Sequence, residues 1–253
     1  RGVNGSSEAN EHFGSSLAVG DFDGDGYDDL VVGVPGESVG TIDAAGAINV
    51  IYGSQGDGLD TWTINNDKIW TQNSVGIANS TDDIQETAEA YDHFGSSLAV
   101  GDFNNDGFDD LAVGVPGEDI GSLFNAGGIN ILYGSDVIGL DSTGDQFWSQ
   151  DSANIVGRSE RHDNFGFSLA AGDFNNDNHD DLAIGVPYEN DKGAINVIYG
   201  RDNNGLNSFG NQYWDQNSKG IIGVSERRDT FGFSLSAGDI DNDGFYDLAI
   251  GVP

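Results

Sequence analysis

The sequence predicts an all-β protein, a β-propeller built from four-stranded antiparallel blades. Three observations carry this expectation. One segment returns four times, short aliphatic runs alternate with Gly- and Asp-rich turns, and no stretch holds a helical period. In its first copy the segment reads Gly20-Asp-Phe-Asp-Gly-Asp-Gly-Tyr-Asp-Asp-Leu-Val-Val-Gly-Val-Pro35, and it recurs at 101–116, 172–187 and 238–253. The opening aspartates are Asp21, Asp102, Asp173 and Asp239, spaced by 81, 71 and 66 residues. All four prolines of the chain close a copy, at Pro35, Pro116, Pro187 and Pro253.

Each unit reads as four strands. Strand one is expected at Phe-Gly-x-Ser-Leu, with Phe-Gly at 13–14, 94–95, 165–166 and 231–232. A glutamate stands five residues before each Phe (Glu8, Glu89, Glu160, Glu226) and an acid two before it (Glu11, Asp92, Asp163, Asp229). Strand two is Leu-(Val/Ala)-(Val/Ile)-Gly-Val, apolar on both faces, as a strand sandwiched between neighbouring sheets must be. Strand three is Ile-Asn-(Val/Ile)-(Ile/Leu)-Tyr, within 46–53, 127–134 and 193–200. Strand four carries Trp-x-Gln, beginning at Trp70, Trp148 and Trp214. Four strands per unit at these spacings indicate a propeller, whereas the coils of a parallel β-helix are much shorter. The units run over about 11–91, 92–162 and 163–228, with a partial unit at 229–253, all within one propeller region spanning 1–253. Three and a half blades are therefore expected, as part of a larger ring.

Composition narrows the function. The 253 residues hold 9 Lys and Arg against 43 Asp and Glu, a formal charge of −34. Such a surplus excludes electrostatic binding to nucleic-acid backbones or anionic membrane surfaces. With no cysteine there is no disulfide framework, thiolate nucleophile or Cys zinc site. No apolar run approaches the roughly 18–20 residues of a membrane span, and direct insertion is not expected. Arg1-Gly2-Val3-Asn4 does not read as a leader, so a targeting segment is expected outside these residues.

Between strands one and two lies Asp-x-(Asp/Asn)-x-Asp-(Gly/Asn)-x-x-Asp. Positions 1, 3, 5 and 9 are Asp21, Asp23, Asp25 and Asp29 in the first copy and Asp102, Asn104, Asp106 and Asp110 in the second. The third copy has Asp173, Asn175, Asp177 and Asp181, and the fourth has Asp239, Asp241, Asp243 and Asp247. Alternating oxygen ligands around a tight turn converge on one ion, and a backbone carbonyl at position 7 (Tyr27, Phe108, His179, Phe245) is expected to join them. Flexible, carboxylate-rich, all-oxygen loops select Ca²⁺ over transition metals and over the geometrically stricter Mg²⁺. About four Ca²⁺ sites follow. An EF-hand needs a bidentate Glu at position 12, and here that position is Val32, Val113, Ile184 and Ile250. Turn propensity alone explains Asp and Gly in a loop but not a fixed carboxylate phase with an acid at position 9 in every copy. Asp28, Asp109 and Asp180, at position 8, give way to Tyr246 in the fourth copy and are expected to support the site or face solvent.

Phe-Gly, the Asp-rich loop and Gly-Val-Pro together resemble the FG-GAP repeat of integrin α-subunit propellers and related secreted proteins, across essentially the whole chain. The resemblance implies a seven-bladed ring with Ca²⁺ held in hairpin loops on one face. It also implies ligand contacts on the opposite face, in the loops joining strands two to three and four to one. The expected function is non-enzymatic: an extracellular or cell-surface, Ca²⁺-rigidified propeller for adhesion or structural assembly. Its expected partners are an extracellular protein or glycan, or further segments or copies that complete the ring. The alternative is a propeller attached to a secreted enzyme, or a lectin that binds glycans.

No catalytic residues are expected. Ser16, Ser97, Ser168 and Ser234 recur at one position, as do His12 and His93, and a catalytic group is normally unique. Trp70, Trp148 and Trp214 fit packing between blades better than a sugar platform, whereas Trp62, without a counterpart, is the better exposed contact. The loops that differ between units, Glu37–Ala45, 118–126 and 189–192, and the connection Ser74–Asp92 are candidate docking elements. Asn4 and Asn79 head glycosylation sequons.

Overall fold

A computed structural model describes residues 9–56, 58–59, 68–74, 84–136, 138–201 and 205–253. Glu8, Trp62, both sequons and part of the 74–92 connection lie outside the described residues.

The first blade contains β1 (Leu17–Gly20), β2 (Asp29–Val34) and β3 (Ala47–Ile51). A short hairpin of β4 (Gly53–Ser54) and β5 (Gly58–Leu59) follows, and β6 (Lys68–Trp70) completes the sheet in the order β1-β2-β3-β6. The second blade is β7 (Leu98–Gly101), β8 (Asp110–Val115), β9 (Gly128–Tyr133) and β10 (Asp141–Trp148). The third is β11 (Ser168–Gly172), β12 (Asp181–Val186), β13 (Ala194–Tyr199) and β14 (Asn207–Trp214). A half-blade of β15 (Ser234–Gly238) and β16 (Asp247–Gly251) ends the series. Every pairing between consecutive blade strands is antiparallel. Among the described residues the only helical element is the single turn Glu189–Asp191, and no helix is long and apolar enough to cross a membrane.

Register is the same in all four copies. Gly20 pairs with Asp29, Gly101 with Asp110, Gly172 with Asp181 and Gly238 with Asp247, so each acidic loop leaves the sheet at the same point. The core lies between blades. Leu111, Val113 and Val115 of β8 pack with Val31, Ile48 and Val50 of the first blade, while Ala112 packs toward Leu182 and Ile184 of the third. Alternate residues of one strand thus bury against two different neighbours, which is why strand two is apolar on both faces.

Two elements begin or end differently from expectation. Phe-Gly lies in a turn ahead of strand one, because the glycine adopts a left-handed conformation (φ 84 at Gly14, 87 at Gly95) that a strand residue does not take. The Phe instead bridges to the preceding blade: Phe94 pairs with Gly46, and its N–H donates to Ala45 O at 2.9 Å. Phe94, Phe165 and Phe231 are buried as a result, whereas Phe13, with no preceding blade among the described residues, is exposed. Strand four ends at its Trp, and the glutamine that follows falls in the next turn.

The recurring serine joins neighbouring blades. Ser16 Oγ donates to Gly95 O at 2.6 Å, Ser97 Oγ to Gly166 O at 2.7 Å and Ser168 Oγ to Gly232 O at 2.8 Å. The contact is so close that a Cβ on Gly114 would stand 2.1 Å from Ser97 Oγ and 2.2 Å from Gly166 O.

Candidate metal loops and their setting

Each acidic loop folds onto its own first and last aspartates. In the first, Asp21 Oδ1 accepts the Asp25 N–H at 3.1 Å and Asp21 Oδ2 the Gly26 N–H at 3.0 Å. Asp25 Oδ1 accepts the Tyr27 N–H at 2.9 Å. The same pattern recurs at Asp102, Asp173 and Asp239. Position 6 needs left-handed backbone, supplied by Gly26, Gly107 and Gly244 and by Asn178 (φ 69).

Position 9 is the deepest group. Asp29 Oδ2 accepts the Phe22 N–H at 3.0 Å and its Oδ1 the Gly53 N–H at 2.7 Å, tying the loop to the end of strand three. Asp110 makes the same bonds to Phe103 and Gly134, and Asp181 to Phe174 and Gly200. Burial pushes Asp29 up to about 7, Asp110 to about 8 and Asp181 to about 7. Backbone donors offset part of that rise, and the loop's other carboxylates add to it.

In the first loop, Asp21, Asp23 and Asp29 each bring an oxygen within 4.8 Å of the others, and in the fourth Asp239, Asp241 and Asp247 do the same. Asp25 and Asp243 stand outside these triads, bonded to the position-7 N–H groups. In the second loop Asn104 Nδ2 donates to Asp106 Oδ2 at 3.0 Å, and in the third Asn175 Nδ2 reaches Asp181 Oδ1 at 3.4 Å. The amide thus takes the place of one carboxylate beside the acids. His179 differs from the other position-7 residues: its Nδ1 lies 3.1 Å from Asp177 Oδ1. Close carboxylates with only oxygen donors fit a hard cation, which removes their mutual repulsion.

Two recurrent features escape a reading of single repeats. The position-8 aspartates reach back to the preceding blade, where Asp109 Oδ2 accepts the Asp21 N–H at 2.8 Å and Asp180 Oδ2 the Asp102 N–H at 3.1 Å. The glutamines after Trp70 and Trp148 each meet a buried glutamate of the next blade, Gln72 Nε2 donating to Glu118 Oε2 at 2.7 Å and Gln150 Nε2 to Glu189 Oε2 at 3.0 Å. Burial drives Glu118 up to about 8 and, beside it, Asp92 up to about 6. The available signal was recurrence at a fixed offset from Trp and Pro; the pairing itself spans two units.

Trp70 is buried in the core between the first two blades, and Trp148 and Trp214 pack half-buried against the later ones. His93 Nδ1 bonds the Pro35 carbonyl oxygen at 2.9 Å, an inter-blade contact.

Fold and loops together define a β-propeller whose blade hairpins each carry an acidic loop. The FG-GAP repeat model matches residues 13–51, 94–131, 165–198 and 231–253. The chain belongs to the FG-GAP repeat family. It is 32% identical over 94% of its length to integrin alpha pat-2 of Caenorhabditis briggsae, covering 18% of that protein. Against integrin alpha-8 of Mus musculus the identity is 30% over 95% of the chain and 20% of the relative. Phosphatidylinositol-glycan-specific phospholipase D of Homo sapiens is 33% identical over 74% of the chain and 20% of the relative. The chain thus spans about a fifth of the length of these relatives. The crystal structure of rhamnogalacturonan lyase YesW matches with a TM-score of 0.50 at 16% identity, over 93% of this chain and 39% of that one, a likeness of fold alone.

Proposed function

We propose that the chain is a Ca²⁺-stabilised propeller segment, at residues 1–253, of a non-enzymatic extracellular protein that serves adhesion or surface assembly. The observation that carries this reading is the fourfold loop, in which acids at fixed positions leave the sheet in identical register. In each loop the side chains at positions 1, 3, 5 and 9 and the carbonyl at position 7 hold one Ca²⁺, and the ion rigidifies the hairpin between strands one and two. Similarity to integrin α subunits supports placement at the cell surface and a ring of seven blades completed by further segments. Extracellular Ca²⁺ at millimolar level suits such sites.

The partner face of the disc is the one away from the acidic loops. There the Tyr91 N–H donates to Asp43 O and the His162 N–H to Phe124 O, both at 2.9 Å, so each two-to-three loop sits beside the next four-to-one connection. Tyr91, Phe124 and Tyr188 are exposed on these segments. An extracellular protein or glycan docks there. Similarity to the phospholipase D supports a second reading, a propeller that accompanies a secreted enzyme.

Native mass spectrometry of metal-stripped protein returned to Ca²⁺ tests the proposal. Four bound ions are expected, and three in Asp21→Asn/Asp23→Asn. Absence of Ca²⁺ adducts, or four ions in the double variant, contradicts it.

A further inference from the structure

We infer that the acidic loops of successive blades bind their cations cooperatively, with Asp109 and Asp180 as the coupling residues. Asp109 forms a two-way clasp with the first residue of the preceding loop. Its Oδ2 accepts the Asp21 N–H at 2.8 Å, and its own N–H donates to Asp21 O at 3.2 Å. Asp180 repeats the clasp on Asp102, at 3.1 and 3.2 Å. In its own loop Asp109 lies between Phe108 and Asp110, at positions 7 and 9.

One side of the clasp is therefore built into loop two and the other is the first residue of loop one. The fit is close: a Cβ on Gly20 would stand 2.7 Å from Asp109 Oδ2, and one on Gly101 2.9 Å from Asp180 Oδ2. This accounts for the glycine before loops one and two; at Gly172 the close neighbour is instead the Tyr246 ring, and a Cβ on Gly238 would meet no atom within 4 Å. Further bonds run alongside, from the Ser135 N–H to Phe22 O and from the Arg201 N–H to Phe103 O, each at 3.0 Å.

A cation in loop two holds 108–110 and so places the Asp109 carboxylate. That fixes the Asp21 backbone and aims the Asp21 side chain into loop one. Ordering is then complete before the second ion arrives, and the second ion binds more tightly. Linkage makes the effect reciprocal. The fourth copy breaks the series. Tyr246 replaces the aspartate, and only the backbone bond from the Tyr246 N–H to Asp173 O, at 3.4 Å, remains. Loops one to three therefore form a coupled set, and loop four stands apart.

The inference rests on the proposed Ca²⁺ reading, and its test separates the two. Metal-stripped protein is titrated with Ca²⁺, with ion number followed by native mass spectrometry and each loop by the amide exchange of its peptide. Loops one to three are expected to gain protection together and loop four on its own. In Asp109→Ala, loop one is expected to lose about tenfold in Ca²⁺ affinity and its coupling to loop two. Asp109→Asn, which keeps an acceptor oxygen, is expected to retain most of both. Tyr246→Asp changes a half-exposed residue and is expected to bring loop four into step with loop three, a readout that holds if Asp109→Ala does not fold. Independent filling of the native loops, or Asp109→Ala and Tyr246→Asp variants that fill like the native protein, overturns the coupling. No Ca²⁺ uptake at all overturns the reading beneath it.

Discussion

Asp29, Asp110 and Asp181 each give both carboxylate oxygens to backbone N–H groups while lying at zero exposure. The side chain is therefore a clasp and, in the proposed Ca²⁺ reading, also a ligand, and the two roles are separable. With Ca²⁺ saturating, Asp110→Ala should cost about 3 kcal/mol or more in urea unfolding, from two stranded buried donors and a lost ligand. In EDTA the cost should be smaller, since burying an uncompensated carboxylate already opposes folding. Equal costs in both conditions would leave Asp110 as a clasp alone. Glu118 allows a pH test away from the loops. Glu118 is held at about 8 and Asp92 at about 6, above ordinary carboxylates, so the folded state binds more protons than the unfolded one. Stability therefore falls as pH rises through these values. With Ca²⁺ saturating, the native protein should lose stability from about pH 4 to about pH 8 and level off above that. Glu118→Gln should flatten that slope and gain about 1 kcal/mol at the alkaline end, where its amide also offers a donor to the unpartnered Gln72 Oε1. The phase of the loop acids was legible in sequence because it is local. Asp109 and Glu118 were not, because their partners lie 88 and 46 residues away, in another blade.

At the level of strands, two and three were legible nearly to the residue, since a run that must bury on both faces admits little but Val, Ile, Leu and Ala. Strand one was read too early. The Phe-Gly pair looks like a strand start, yet the left-handed glycine turns the chain so that Phe enters the preceding blade. That displacement explains why the motif repeats so strictly: it is the joint between blades, not part of a sheet. The same joint sets a steric limit at Gly114, where an added methyl meets Ser97 Oγ and Gly166 O together. Gly114→Ala should cost about 1–3 kcal/mol in denaturant unfolding. Gly107→Ala meets no atom within 4 Å but must hold φ 92, so its cost is backbone strain and should be concentrated in Ca²⁺ affinity.

Across the molecule, blades are joined by buried aliphatic layers, the Phe–Gly bridges, the Ser–Gly and Gln–Glu bonds, and the clasps at the acidic loops. Composition set the first expectations, −34 charges arguing against a nucleic-acid binder and the lack of cysteine against a disulfide scaffold. The partner proposed for the opposite face was not legible: the first two of its two-to-three loops share one pattern, with bridges Val39–Ile42 and Ile120–Leu123, the third is shorter, and none carries a motif that names a ligand. The loops hold only part of the acidic surplus, so the Ca²⁺-loaded protein remains strongly acidic, and its partner surface must tolerate or use that charge. The central claim is that these carboxylates fold around cations. Ions that bind only the folded state stabilise it by mass action. Differential scanning calorimetry of the metal-stripped protein, with excess EDTA against millimolar Ca²⁺, tests this directly. A melting temperature that climbs by ten degrees or more with Ca²⁺ is the predicted result; superimposable melting curves would contradict it.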